Sequence, residues 1–336
     1  MEKYGAFRDK GSGIAPFFPV PTQPSGVALP FHIFLFLCRV PILITVTISY
    51  FLIFSWLPIG PLGKKAALWL ILGVPGIWWI DLQVDGVKKG SLGKQTSRLP
   101  HPGSIIASSY TSPIDSLYLA AIFDPLFTAS YPGTRKVQPV SLWQAMLFAL
   151  LPPQQSPPAG AKLVSLSTLV AQNPDRCIAV FPECTTTNGR GILPFSPSLL
   201  TAPPKTKIFP ISLRYTPADI TTPIPGTFTS FVWNLCSKPT HCIRVRIAEY
   251  TYNASPTPVR EPPRRNSYDT NLLDGLHSQE LKSRGTGEDT EGDATEEEQK
   301  VLDKIAEALA RLGRVKRVGL GVEEKIGFVK AWTKKR

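Results

Sequence analysis

The apolar residues of this chain fall into two early runs, and alternation of polar and apolar positions begins only after them. Residues 1–28 are polar and Pro-rich, without the basic start and immediate apolar run of a cleavable signal peptide. From Val40 to Leu57 the chain reads VPILITVTISYFLIFSWL, a charge-free run of about the length needed to cross a hydrocarbon core of roughly 30 Å. The preceding FHIFLFLC extends it, interrupted by Arg39, whose long stem suits snorkelling to a headgroup. A second run, AALWLILGVPGIWWI (Ala66 to Ile80), contains Pro75 and the three residues Trp69, Trp78 and Trp79, which an interfacial belt favours. The link between the runs, PIGPLGKK, is short. Residues 29–82 therefore read as a helical hairpin that dips into one leaflet or crosses and returns. A buried pair of core helices is the competing reading.

Past the hairpin the period changes. SIIA (104–107), CIAVF (177–181), KIFPISLRY (207–215) and CIRVRIAEY (242–250) have strand character, and PIDSLYLAAI (113–122) has helix character. Strands separated by helical stretches predict an α/β domain over 83–250, with a mostly parallel central sheet flanked by helices. Residues 251–294 carry Pro, Ser, Asp and Glu with few large apolar side chains and read as a disordered insert. In 295–336, Thr295 and Glu298 form a capping box that opens an amphipathic helix. Its apolar face is Leu302, Ile305, Leu309 and Leu312, and Gly313 closes it. A basic tail follows, with Lys316, Lys325 and Lys330 interleaved with Val318, Phe328 and Trp332. It suits an anionic bilayer surface, or else a solvated tail or a helix packed on the domain through Phe328 and Trp332.

Composition sharpens this picture. Hydrophobic residues are 43% and charged residues 18%, with a mean hydropathy of +0.01. A net charge of +12 calls for an anionic partner. The basic residues gather near the C-terminus beside apolar ones and form no recognition motif, so a bilayer containing anionic lipids is expected and a nucleic acid is not. The five Cys are an odd number without framework spacing and make no metal-ligand pattern, which fits a reducing compartment.

Two segments carry chemistry. Ser109-Tyr-Thr-Ser-Pro-Ile-Asp115 makes a good helix start, with Ser112 as N-cap, Pro113 at the first helical position and Asp115 completing a capping box. Phe181-Pro-Glu-Cys-Thr-Thr-Thr-Asn-Gly-Arg190 follows a strand and suits a phosphate, through Arg190, hydroxyls and backbone amides. It also reads as a polar turn in which Glu183 only caps a helix.

In this order, behind a hydrophobic hairpin, the two segments resemble the blocks of the PlsC-type glycerolipid acyltransferases, His-x-x-x-x-Asp and then Phe-Pro-Glu-Gly-Thr. Ile208-Phe-Pro-Ile-Ser-Leu resembles a further block, an apolar strand containing Pro, and the resemblance covers roughly residues 30–250. The opening MEKYGAFRDKGSGIAPF is similar to that of the fungal branch of the family, found at the endoplasmic reticulum and lipid droplets. The resemblance implies transfer of a fatty acyl group from acyl-CoA to a lysophospholipid, above all lysophosphatidic acid, giving phosphatidic acid. Acyl-CoA is then a co-substrate, no cofactor is bound, and the α/β domain faces the cytosol. Glu183, Thr185 and Arg190 become the phosphate-binding residues. Asp115 orients the acceptor, and the helix from Pro113 lends its dipole to developing negative charge.

Two positions depart from the pattern. Cys184 stands where the family has Gly, and Tyr110 where it has the His that takes the acceptor's proton. A phenol with a pKa near 10 is a poor base at neutral pH. Of the four His, His32 lies in the hairpin, His277 in the expected insert, and His101 and His241 precede strands, at what reads as the wrong end of the sheet. Slow catalysis, the substrate phosphate as base, or a non-catalytic lipid-binding or scaffold protein on the same fold all remain open.

Overall fold

The computed structural model describes residues 2–54, 60–88, 90–253 and 295–334. The stretch expected to be a disordered insert, with His277, lies outside these from residue 254, as do Lys335 and Arg336.

Helix α1 (Leu29–Ser49) is apolar all round, begins with Pro30 where a missing N–H costs nothing, and runs on into a π-turn at Tyr50–Phe54. The element from Gly26 to Phe54 is long and apolar enough to cross a membrane, and none of its most apolar window is buried. Helix α2 (Gly60–Gly73) reaches only about 21 Å at 1.5 Å per residue, less than a hydrocarbon core. The second apolar run does not stay helical. Pro75 stops the helix and Gly76 takes a φ of 91°, where a Cβ would come within 2.5 Å of the Pro239 carbonyl oxygen. The chain leaves this turn as strand β1 (Ile77–Val84), so Trp78 and Trp79 are carried on a strand, each 66% exposed. Arg39 does not reach for a headgroup. Its guanidinium donates to the carbonyls of Pro75 (3.3 Å), Cys236 (3.4 Å), Pro239 (2.9 Å) and Lys238.

The remaining strands of the main sheet are β2 (Ile105–Ser108), β3 (Leu126–Ala129), β4 (Gln138–Val140), β5 (Ile178–Val180), β7 (Lys207–Thr216), β8 (His241–Ile247) and β9 (Thr251–Tyr252). The order is β1-β8-β7-β2-β5-β3-β4, with β9 on the flank of β7. β2 runs parallel to β5 and β7, β3 to β5, and β1 to β8. The β3–β4, β7–β8 and β7–β9 pairs are antiparallel. This is the predicted α/β fold with a mostly parallel sheet. Strand alternation splits the core in two. Ile106, Phe209 and Ile211 meet α2, α3 (Pro113–Phe123), α4 (Leu142–Phe148) and α6 (Phe228–Ser237) on one face. Ile105, Ala107 and Ile208 meet α5 (Leu166–Gln172) and α7 (Glu296–Gly313) on the other.

Helix α7 starts at the Thr295–Glu298 capping box, and Arg135 forks onto the Glu298 carboxylate with two bonds of 2.8 Å. Its left-handed terminal residue is Arg314, one position beyond Gly313. Gly313 serves close packing instead: a Cβ there would lie 3.4 Å from the Ser212 hydroxyl and 3.2 Å from Val315. Next, β10 (Lys316–Arg317) pairs parallel with β6 (Gly191–Ile192), and α8 (Val322–Thr333) closes the described chain. The N-terminal segment, read as merely polar, packs its aromatic residues here. Tyr4, Phe7 and Phe18 lie 5.9, 5.4 and 5.1 Å from the ring of Phe328, measured between centroids. The basic tail is thus a helix packed on the domain, as Phe328 and Trp332 allowed.

Candidate functional site

Strands β2 and β5 are neighbours and parallel, with Ile105 opposite Ile178 and Ala107 opposite Val180. Their carboxyl ends therefore open on the same edge, where α/β sheets characteristically hold ligands. β2 leads into residues 109–112 and β5 into 181–190, so sheet order alone brings the two segments together.

The first segment closes on itself. Ser112 caps α3 in a capping box with Asp115. The Asp115 carboxylate accepts from the Thr111 amide (2.6 Å), the Ser112 amide (2.9 Å), the Thr111 hydroxyl (3.1 Å) and the Tyr215 phenol. Asp115 is fully buried, and burial lifts its pKa to about 6 against the pull of those donors. Its carboxylate, expected to orient the acceptor, is engaged in holding the turn and the start of α3.

Tyr110 stacks on Phe181 with ring centroids 4.4 Å apart, and its phenol donates to the Ala145 carbonyl at 2.9 Å. Burial, with Asp115 nearby, pushes that phenol well above its usual pKa of 10. It cannot stand in for the imidazole as a base. Its backbone stitches the loops together: the Tyr110 amide donates to Glu183 (3.4 Å), and the Tyr110 carbonyl accepts from the Thr187 amide (3.0 Å).

Glu183 was grouped with the phosphate ligands, but its two oxygens accept from the amides of Tyr110 and Leu193 (3.1 Å). Burial raises its pKa to about 8, so it is a neutral brace between the loops at neutral pH. Cys184 has a φ of 57°, the left-handed conformation that Gly adopts without strain. The family's glycine turn thus survives in backbone shape. Burial pushes the Cys184 thiol up to about 12, which removes it as a nucleophile. Thr185 accepts from Lys325 Nζ at 2.9 Å, leaving its own hydroxyl proton free to donate. Arg190 is exposed, and its guanidinium has no hydrogen-bond or ion-pair partner among the described residues. Between the loops, Tyr110, Phe181, Cys184, Thr185, Ser130 and Tyr131 help line a cavity of about 40 Å³, room for a few waters.

Neither remaining His supplies a base. His101 lies before β2, at the opposite edge, with its ring edge-on to Phe209. His241 was also expected at the wrong end. Because β8 runs antiparallel to β7, it lies near Cys242–Thr216 instead, beyond Tyr215 on the site's side of the sheet. There its Nε2 bonds the Leu235 carbonyl at 2.9 Å. Among the described residues no group of His, Cys, Asp and Glu is placed to hold a metal ion.

Sequence reading missed Lys325, Tyr215 and Asn188. Asn188 donates to the carbonyls of Ala15 (2.8 Å) and Phe18 (2.9 Å), tying the loop to the N-terminal segment. Lys325 had one available signal: it falls on the same helical stripe as Val322 and Phe328, where a charged residue is out of place.

An exposed apolar helix ahead of an α/β sheet, with a capped Asp turn and a Phe-Pro-Glu-Cys-Thr loop at one carboxyl edge, is the arrangement that the resemblance to glycerolipid acyltransferases implies. No family model matches the chain. It is 27% identical over 341 residues to a Schizosaccharomyces pombe protein provisionally named lysophosphatidic acid:oleoyl-CoA acyltransferase, covering all of this chain and 99% of that one. It is 28% identical over 197 residues to Saccharomyces cerevisiae lysophosphatidic acid:oleoyl-CoA acyltransferase 1, covering 58% of this chain and 61% of that protein. Over its whole length the chain is thus similar to a fungal protein of the lysophosphatidic acid acyltransferase kind.

Proposed function

We propose that the protein transfers a fatty acyl group from acyl-CoA to lysophosphatidic acid at the cytosolic face of the endoplasmic reticulum or a lipid droplet. The observation that carries this reading is the meeting of the two loops at one sheet edge, with Thr185 and the unpartnered Arg190 free to bind a phosphate. With Tyr110 unable to act as base, the acceptor's own phosphate fills that role, since a phosphomonoester has a second pKa near 6. The hydroxyl oxygen bonds to the thioester carbonyl carbon, the C–S bond breaks, and the hydroxyl proton passes by way of the phosphate to the leaving thiolate. Losing a positioned general base costs about 10²–10⁴-fold, so turnover is slow.

The membrane reading also rests on geometry. α1 and the π-turn that continues it pack on the domain at widely spaced points: Phe36 on Trp233 (centroids 5.0 Å apart), Arg39 on the carbonyls after α6, and Phe51 of the π-turn on Trp143 (5.1 Å). Fifteen residues separate Phe36 from Phe51, about 22 Å of helix. A helix flanked by the domain over that length lies along one leaflet, with its outer side and Trp78 and Trp79 in the lipid, rather than crossing the bilayer.

The test is purified protein with labelled acyl-CoA and a panel of lysophospholipids. Lysophosphatidic acid should be acylated slowly and ahead of acceptors lacking a phosphomonoester, and Tyr110→His should retain or raise the rate. Arg190→Ala should weaken acceptor binding by about 1.5–3 kcal/mol, the worth of a charge-assisted contact. No turnover with any lysophospholipid, in wild type or Tyr110→His, would leave the non-catalytic lipid-binding reading, which the plugging of the His position by Tyr110 favours.

A further inference from the structure

The loop assigned to the phosphate is held by a residue that arrives from the far end of the chain. Lys325, in α8, is 1% exposed. Its three ammonium protons meet three acceptors on this loop: the Thr185 hydroxyl (2.9 Å), the Thr186 carbonyl (2.6 Å) and the Thr186 hydroxyl (3.0 Å). Thr186 passes its own proton to the Thr222 carbonyl (2.6 Å), and the Thr185 amide donates back to the Glu183 carbonyl (2.7 Å), so the turn is closed at both ends. The helix that delivers Lys325 is seated by Phe328, fully buried among Tyr4, Phe7, Phe17 and Phe18.

No carboxylate forms an ion pair with Lys325 among the described residues. The nearby carboxyl is Glu183, which spends both oxygens on backbone amides. A buried ammonium without a counter-ion is costly, and burial lowers the pKa of Lys325 to about 7, so an anion bound beside it would keep its proton in place. Thr185, one of its lone pairs engaged by that ammonium, keeps its hydroxyl proton to donate toward a ligand. Arg190 follows five residues later, its guanidinium without a partner among the described residues. The loop therefore gathers positive charge and donors and lacks an anion.

We propose that Lys325 is a positioning residue of this site, setting the Thr185–Thr186 turn and supplying buried positive charge so that the loop prefers a phosphomonoester headgroup over a phosphodiester one. The phosphomonoester dianion is the missing counter-ion; a phosphodiester carries one charge less and a bulky substituent. The inference rests on the proposed function for the identity of the ligand, but its test is binding and needs no turnover.

The experiment measures affinities of the full-length, detergent-solubilised protein for lysophosphatidic acid, lysophosphatidylcholine and oleoyl-CoA. Wild type should prefer lysophosphatidic acid to lysophosphatidylcholine by about tenfold or more, the scale of one charge-assisted contact. Lys325→Met, close in shape and uncharged, should lose most of that preference. Its oleoyl-CoA affinity and melting temperature should hold or, for melting, rise, since an apolar replacement removes a lone buried charge. A folded Lys325→Met with the wild-type preference would overturn the proposal, as would an equal loss for all three ligands, which marks a merely structural role. A wild type with no preference would overturn it whatever the activity. A wild type that binds with the expected preference but transfers no acyl group would remove the enzymatic reading and leave this one standing. Should Lys325→Met fail to fold, Thr186→Val removes one of the three acceptors and should reduce the preference about threefold, an unchanged preference again counting against the proposal.

Discussion

Helices α1 and α8 are alike in sequence and opposite in the structure. Both are rich in aromatic and aliphatic residues and carry or adjoin basic ones, so each is a reasonable candidate for a lipid surface, although α8 also holds Glu323 and Glu324 where α1 has no acidic residue. α1 turns its largest side chains outward, with Phe34 61% and Leu37 65% exposed. α8 turns Phe328 and even Lys325 inward, almost wholly buried. The difference lies in how apolarity is distributed. α1 is apolar on every side, so packing one side on α6 leaves another with nothing in water to meet. α8 carries Glu323 and Lys330 on its outer side, and one contact surface satisfies its single apolar stripe. The comparison teaches that basic charge beside aromatic residues does not by itself mark a membrane segment; apolarity all round does.

The strongest way to break this comparison is Phe328→Ala. It should cost about 3–5 kcal/mol, as for other buried aromatic truncations, and release the N-terminal segment and α8 together. Hydrogen exchange of residues 2–18 and 322–333 rising in step would show it; exchange confined to α8 would separate the two segments.

Next is the loop that α8 braces. Glu183 stays protonated in the fold up to about pH 8 but titrates at 4.5 as a free side chain. Its contribution to stability is therefore complete below pH 4.5 and disappears as pH rises through 8. Asp115 acts in the same direction between 3.8 and about 6, and Lys325 the other way, its burial penalty easing as pH rises through about 7. Glu183→Gln removes only the first of these. The variant should gain on wild type with rising pH, by on the order of 3 kcal/mol between pH 5 and 8. A melting-temperature difference flat across that range would mean that Glu183 is ionised in the fold.

The smallest effects sharpen the outward side. Leu37→Ser should leave the melting temperature in detergent nearly unchanged but weaken retention on phospholipid vesicles by about 1.5–3 kcal/mol, the loss of one buried leucine. Lys330→Glu, on the outer side of α8, should change retention little, and retention should survive high salt. Retention that collapses on Lys330→Glu or in salt would return the tail to the membrane.

Much of the fold was legible. β2 and β5 at the sheet's centre announce themselves as short apolar runs and β8 by alternation, α3 by Ser112, Pro113 and Asp115, and α7 by Thr295 and Glu298, because each signal is carried within a few residues. β1 was not legible, since Trp78, Trp79 and Ile80 continue an apolar run without a change of period. What moved them into the sheet was the Pro75–Gly76 turn and a partner strand more than 150 residues away. The site was legible as two segments and not as a site.

By itself the sequence determined which segments are apolar, where helices start, and that a Tyr stands where the acyltransferases it resembles carry a His. Those follow from side-chain chemistry and local backbone preference. Only the tertiary structure decided that the oxygens of Asp115 and Glu183 are taken up by local donors, that the Arg190 guanidinium has no partner among the described residues, and that Lys325 reaches the loop. A carboxyl or an ammonium has the same intrinsic affinity for protons and partners wherever it stands in the chain. Whether it binds a ligand or secures a turn depends on which donors and acceptors folding brings within 3 Å, and on how much water it removes from around them.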